Sequence, residues 1–190
     1  MDHRLLKHFL HYGQLSEDEI AAIDGTMDIR HVTKGTLLLQ EGQSSNEVYF
    51  VLEGIIRQFY LVDGAEKTSD FFTEEQWVLS ENNFSGKQAS GQYLECCSDC
   101  VLMVGNSTKG EDLYALYPNL GTISRKLMEA VFIQQQAKLE AFVTGNPQSR
   151  YLNLLKNNPG LFQRVPLYQI ASYIGVTPES LSRIRRRIKL

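Results

Sequence analysis

The chain has 190 residues, 43% of them hydrophobic, which suits one or two small domains with packed cores. No apolar run approaches the ~18 residues of a membrane span, and the N-terminal MDHRLLKHFLHYGQL lacks the uninterrupted apolar stretch of a secretory signal. The crowded cysteines Cys96, Cys97 and Cys100 are odd in number and form no disulfide framework, so the expectation is a cytoplasmic protein without a membrane partner.

In chain order, residues 1–25 read as helical, with Leu5, Leu6, Phe9 and Leu10 on one stripe. Ser16 and Glu19 have the spacing of a capping box. From Ile29 the texture changes to short β-type runs separated by turns. Strands are expected at Arg30–Val32, Thr36–Leu39, Val48–Leu52, Ile55–Val62 and Lys67–Phe72, with a hairpin at Asp63-Gly64. A further pair, Tyr93–Cys97 and Cys100–Val104, brackets Ser98-Asp99. Many short strands with glycine turns predict a sandwich or barrel. A short helix is expected over Glu111–Tyr117 and a long one over Asn119–Val143. Thr144-Gly145-Asn146-Pro147 breaks the chain before a compact helical end.

The net charge of −3 selects no partner, but its distribution does. Residues 145–190 hold eight Lys or Arg against the single acid Glu179, giving +7, while residues 1–144 carry −10. A basic end on an acidic body directs nucleic acid to one surface and repels it from the rest.

Within that end, Leu167–Ile188 reads as two short helices broken at Ile174-Gly175-Val176. Ala171 allows a close crossing, Gly175 suits a left-handed turn, and Ile170, Ile174, Leu181 and Ile184 supply the apolar lock. Thr177 caps the second helix and Pro178 suits its first position. That helix presents Glu179, Ser182, Arg183 and Arg186 outward. Arg183 can bond a guanine edge, Glu179 can accept from cytosine, and Ser182 can reach a base or a phosphate. Thr177 and Ser180 at the helix start, and Arg185, Arg186 and Arg187 near its end, suit phosphates.

Two motifs and their order carry a resemblance. The run Lys34-Gly35-Thr36-Leu37-Leu38-Leu39-Gln40-Glu41-Gly42, followed by Val48-Tyr49-Phe50-Val51-Leu52-Glu53-Gly54, and the later Thr177-Pro178-Glu179-Ser180-Leu181-Ser182-Arg183 together resemble the Crp/Fnr family of bacterial transcription regulators. The resemblance covers nearly the whole chain. It implies an α+β fold: an N-terminal double-stranded β-helix (jelly-roll-like) barrel with flanking helices, a long dimerisation helix and a C-terminal helix-turn-helix. The corresponding ranges are 1–118 for a cyclic-nucleotide-binding-like sensor barrel, 119–144 for the dimerisation helix and 145–190 for the DNA-binding part. It also implies a homodimer on palindromic double-stranded DNA, RNA polymerase as a further partner, and a small-molecule effector.

Departures from the family pattern shape the expected function. Members that bind cyclic nucleotide use a Gly-Glu pair for the ribose and an Arg followed by a small residue for the phosphate. Here Trp77 to Ser90 has no Gly-Glu, and no Arg stands between Arg57 and Arg125. Without a bidentate Arg the phosphate loses its fork. Cyclic nucleotide is therefore not the expected effector, and no cofactor is assigned. A degenerate effector pocket would draw on Trp77, Ser80, Glu81, Lys87 and Ser90. The N-terminal cysteine cluster of iron–sulfur members is absent, and no wing is expected between Ile188 and Leu190.

The long helix carries two apolar flanks: Leu120, Ile123, Leu127, Val131 and Ala137, and then Met128, Phe132, Leu139 and Phe142. Two flanks predict two packing partners, the chain's own barrel and the same helix of a second copy. The first flank is assigned to the dimer seam. No catalytic constellation or metal pattern is visible: Cys97-Ser98-Asp99-Cys100 is a bare CxxC on a strand–turn–strand, and His3, His8 and His11 read as surface residues. The expected function is a dimeric, sequence-specific transcription regulator, not an enzyme. The alternative is a small-molecule sensor module with the same barrel and no specific DNA role, against which the capped basic tail speaks.

Overall fold

The computed structural model describes residues 2–80 and 89–188. Helix α1 (His3–Leu10) starts where the Asp2 carboxylate accepts the Arg4 N–H, and α2 (Glu17–Asp24) where Ser16 and Glu19 close the expected capping box. Tyr12–Leu15 separates them, so residues 1–25 form two helices rather than one.

Eight strands follow among the described residues: β1 (Asp28–Val32), β2 (Leu37–Leu39), β3 (Glu47–Glu53), β4 (Ile56–Val62), β5 (Ala65–Phe72), β6 (Trp77–Val78), β7 (Tyr93–Cys96) and β8 (Cys100–Asn106). They build two antiparallel four-stranded sheets, in the orders β1-β8-β3-β6 and β2-β7-β4-β5. Val32, Val51 and Leu102 of one sheet meet Leu39, Ile56 and Leu94 of the other in a shared core, giving the expected barrel-like sandwich. The β4–β5 hairpin pairs Val62 with Ala65 across Asp63-Gly64, and both turn residues have positive φ, 53° and 75°, as a type I′ turn requires. Sequence periodicity missed β6, because Trp77–Val78 is too short to alternate.

Asn106 caps α3 (Ser107–Leu116) by accepting the Thr108 and Lys109 N–H groups, starting it four residues before the predicted Glu111. Pro118 opens α4 (Pro118–Thr144), and Asn146 caps α5 (Pro147–Asn157) through the Ser149 N–H. Short α6 (Leu161–Arg164), α7 (Leu167–Tyr173) and α8 (Pro178–Ile188) complete the chain.

Helix α4 corrects the seam assignment. Leu120, Ile123 and Leu127 are buried at 4%, 1% and 2% exposure against Leu5, Phe9, Ile23, Phe50 and Met103 of the chain's own body. Exposing each would forfeit roughly 1.5–3 kcal/mol of burial, so they are not available to a second copy. Val131 is half-buried against the same cluster, and Ala137 alone of the five is exposed. The exposed apolar residues of α4 are Phe132, Ile133, Leu139, Phe142 and Val143.

The C-terminal helices do not stand apart from the barrel. Ile55, Phe71 and Cys97 of the barrel share one buried cluster with Tyr151, Leu161, Ile170, Ile174 and Leu181. Ser172 of α7 sits on β5, the edge strand of its sheet. Its Oγ accepts the Thr68 N–H at 3.0 Å and donates to the Glu66 carbonyl at 3.1 Å, standing in for a missing strand partner. No helix of the described residues is long and apolar enough to cross a membrane.

Candidate nucleic-acid interface

The basic end is organised around the turn between α7 and α8. Gly175 has φ +74°, the Val176 N–H donates to the Ala171 carbonyl at 2.9 Å and the Gly175 N–H to Ser172 at 3.1 Å. This is a Schellman ending, which satisfies the last carbonyls of α7 and turns the chain sharply into α8. Ala171 is wholly buried at the crossing, as its size predicts. The Thr177 hydroxyl then accepts the Ser180 N–H at 3.3 Å, the expected cap of α8.

Leu181 is buried, and Ile184 and Ile188 are half-buried against the same core. That fixes which side of α8 faces inward. Glu179, Ser182, Arg183, Arg186 and Arg187 are exposed on the other side, while Ser180 and Arg185 lie at its margin. Glu179 in the first turn and Arg185–Arg187 in the last both suit the helix dipole. Its own backbone N–H and the Thr177 hydroxyl hold the Glu179 carboxyl below the usual carboxylate range. Arg183 Nη2 donates to Ser180 Oγ at 3.0 Å, which spends the Ser180 hydroxyl inside the chain and parks the arginine along the helix start.

A second feature lies between the barrel and α4, a cavity of about 560 Å³. Gln58, Tyr60, Ser80 and Gln92 give it hydrogen-bonding walls, and Phe72, Trp77, Met128 and Val131 give it apolar ones. Of the expected pocket residues, Trp77 and Ser80 line it. Ser90 is buried nearby but turns its hydroxyl to the Gln92 backbone, accepting the N–H at 3.1 Å. Glu81 and Lys87 lie outside the described residues. No Lys or Arg lines the cavity among the described residues. Asp70 does, with its carboxylate gripped by Lys138 at 2.8 Å and Gln135 at 3.1 Å of α4. Arg57 is buried in the barrel but committed to Glu95 at 2.6 Å and Glu66 at 2.7 Å, beneath the Phe59 ring.

Residues 29–116 match the cyclic nucleotide-binding domain. Among curated proteins, none matches the sequence. Most of the chain is similar in fold to solved structures, two of the three below described as regulators. The c-di-GMP-responsive global regulator CLP of Xanthomonas campestris has a TM-score of 0.68 and 17% identity, with 92% of each chain covered. FixK2 of Bradyrhizobium japonicum has a TM-score of 0.70 and 14% identity, covering 86% of this chain and 84% of that one. A protein of Eubacterium rectale, described as a Crp/Fnr-family transcriptional regulator, has a TM-score of 0.70 and 17% identity, with 92% and 84% covered. At such identities the likeness is one of fold. The matched range takes in both sheets from Ile29 onward and α3, and the likeness in fold covers 86–92% of the chain.

Several arrangements leave no signal in the sequence. Burial corrects the surface reading of His8, which packs 5.2 Å from the Phe50 ring and 6.3 Å from Trp77, and desolvation lowers its pKa. His3 and His11 are exposed, as expected. Cys96, Cys97 and Cys100 are all buried as free thiols, with Cys97 Sγ 3.7 Å from Gln169 Oε1 on α7. Arg150 of α5 was only one positive charge among eight, yet it joins α4 to the α7–α8 turn through three backbone carbonyls.

Proposed function

We propose that this chain is a sequence-specific, DNA-binding transcription regulator of the Crp/Fnr type, working as a homodimer on palindromic sites. The observation that carries the reading is the exposed row Glu179, Ser182, Arg183 and Arg186 on a capped helix that follows a tight left-handed turn. A helix-turn-helix so built lays its second helix in the major groove. Arg183 then reads guanine, Glu179 and Ser182 contact neighbouring base edges, and Thr177, Ser180, Arg185 and Arg187 serve phosphates. Arg183 must first leave Ser180, exchanging one hydrogen bond for a bidentate pair.

In this reading the dimer forms along the outer half of α4. Phe132, Gln136, Leu139 and Val143 are spaced four, three and four apart, the seam of a coiled coil, and all are exposed. The cavity between the barrel and α4 is the effector site, because a ligand there touches both Asp70 of β5 and the base of the seam. A cyclic phosphate is disfavoured by the Asp70 carboxylate and by the absence of a cation from the described walls. RNA polymerase follows as a partner of any such regulator once it is seated on a promoter.

Selection of bound sequences from a random DNA pool tests the reading. A palindromic product with half-sites about ten base pairs apart is the expected result. Recovery of no preferred sequence, with binding that vanishes as salt is raised, would leave only unspecific phosphate attraction and overturn it.

A further inference from the structure

A separate cavity of about 460 Å³ lies at the hinge, between the outer half of α4, α5 and the end of α7. Gln76, Gln134, Arg150, Asn153, Asn157, Asn158 and Tyr173 supply polar walls, and no acidic residue lines it among the described residues. Arg150 is locked in place. Its Nε donates to Ile174 O at 2.8 Å, its Nη1 donates to Phe142 O at 3.0 Å and to Gly145 O at 2.7 Å, and its plane stacks 4.5 Å from the Phe142 ring. Those carbonyls close α4 and α7, so two helix C-termini offset part of the positive charge. No ion pair among the described residues engages Arg150, and Nη2 takes no part in the three carbonyl bonds. The second cation on the wall, Lys138, is already paired with Asp70 at 2.8 Å. Burial raises the Tyr173 phenol pKa, so it stays a donor at neutral pH.

We propose that this hinge cavity binds a small phosphomonoester with a hydroxyl-rich body. A fixed guanidinium on the cavity wall, with one NH2 group outside those three carbonyl bonds, is matched by an anion rather than by a neutral group. The carboxamides of Gln134, Asn153, Asn157 and Asn158 each donate and accept, which matches hydroxyls that do both. The volume falls in the ordinary range for small-molecule sites, roughly 300–1,000 Å³. An occupant would touch α4, α5 and α7 together, and so fix the angle between the long helix and the basic end. Ligand binding at this cavity does not depend on the chain reading DNA.

Calorimetric titration of the full chain tests it with ribose 5-phosphate, glucose 6-phosphate and the nucleoside 5′-monophosphates, each beside its phosphate-free counterpart. The expected result is saturable binding of at least one phosphorylated probe with Kd below about 1 mM, at least about tenfold tighter than the same body without phosphate. The sugar phosphate and nucleotide arms distinguish the two sources of this chemistry. Asn153 is exposed and its side chain enters no hydrogen bond among the described residues, so Asn153→Asp is expected to weaken that binding by about tenfold and Asn153→Lys to tighten it, with melting temperature unchanged. Arg150→Gln should abolish binding, and the Asn153 pair decides the matter should that variant fail to fold. No saturable phosphorylated probe, binding indifferent to the phosphate, or binding indifferent to both Asn153 charges would overturn the proposal.

Discussion

Arg164 grips Glu74 through both terminal nitrogens, Nη2 to Oε1 at 2.6 Å and Nη1 to Oε2 at 3.1 Å, and so pins the basic end to the loop after β5. Glu74 Oε1 also accepts the Gly54 N–H at 3.0 Å. Burial pushes the Glu74 carboxyl up, but Arg164 and the backbone donors outweigh it and the net shift is downward. A carboxyl with a depressed folded pKa stabilises above its unfolded value and loses that contribution as pH falls through the folded one. The contact is therefore expected to hold at neutral pH and to loosen in acid, below the usual carboxylate range. Both partners are more than a third exposed, so Glu74→Gln should cost no more than about 1 kcal/mol in denaturant melts. Faster hydrogen exchange at Gly54 and along α6 is the accompanying sign. Unchanged exchange would show that the bridge is ornamental.

Gly175→Ala forces a side chain into the left-handed region and brings its Cβ to 3.3 Å from the Phe142 ring. The conformational strain alone is worth about 1–2 kcal/mol. The expected outcome is a matching loss in stability, together with weaker binding to a selected DNA site because the angle between α7 and α8 shifts.

Arg183→Ala removes a side chain whose one hydrogen bond among the described residues is to Ser180. Melting temperature should stay put, while specific DNA affinity falls by about 1–3 kcal/mol and discrimination at one base position relaxes. Arg187→Ala should instead weaken all sequences alike and flatten the salt dependence. Gel shifts across a salt series separate the two.

Leu139→Glu places a charge at the centre of the exposed α4 row, where Leu139 is 56% exposed. Sedimentation should show dimer converted to monomer with secondary structure intact. A wild-type chain that sediments as a monomer at all accessible concentrations would remove the seam.

His8 titrates in the opposite sense from a paired histidine. Desolvation lowers its folded pKa, and its Nε2 is buried without a hydrogen-bond partner among the described residues, so below about pH 6.5 the unfolded chain binds the extra proton. Stability is full above that value and declines as pH falls toward the folded pKa. His8→Phe should flatten this slope in melts between pH 5 and 7, ranges set by the reference histidine value.

The barrel was readable because its turns and alternating strands are local signals, and the α8 cap because Thr177-Pro178 states it in two residues. The seam was misread for a physical reason. Leu120, Ile123 and Leu127 look the same on paper whether they face a barrel or a second copy, and only the placement of α1 and α2 beneath them decides. His8 was misread likewise, since Phe50 and Trp77 arrive from far along the chain. Arg150 gave no signal at all, because its partners are backbone carbonyls that no side-chain pattern records.

The way Ser172 completes β5 has a consequence for any movement of the basic end. If the end swings outward as one body, the Thr68 N–H and Glu66 C=O lose the cover that Ser172 gives them and a raw strand margin faces solvent. Such a margin recruits other chains. A swing large enough to free it must therefore be brief, or be matched by something that takes the place of the serine, and a Ser172→Ala protein should be the first to clump on gentle warming.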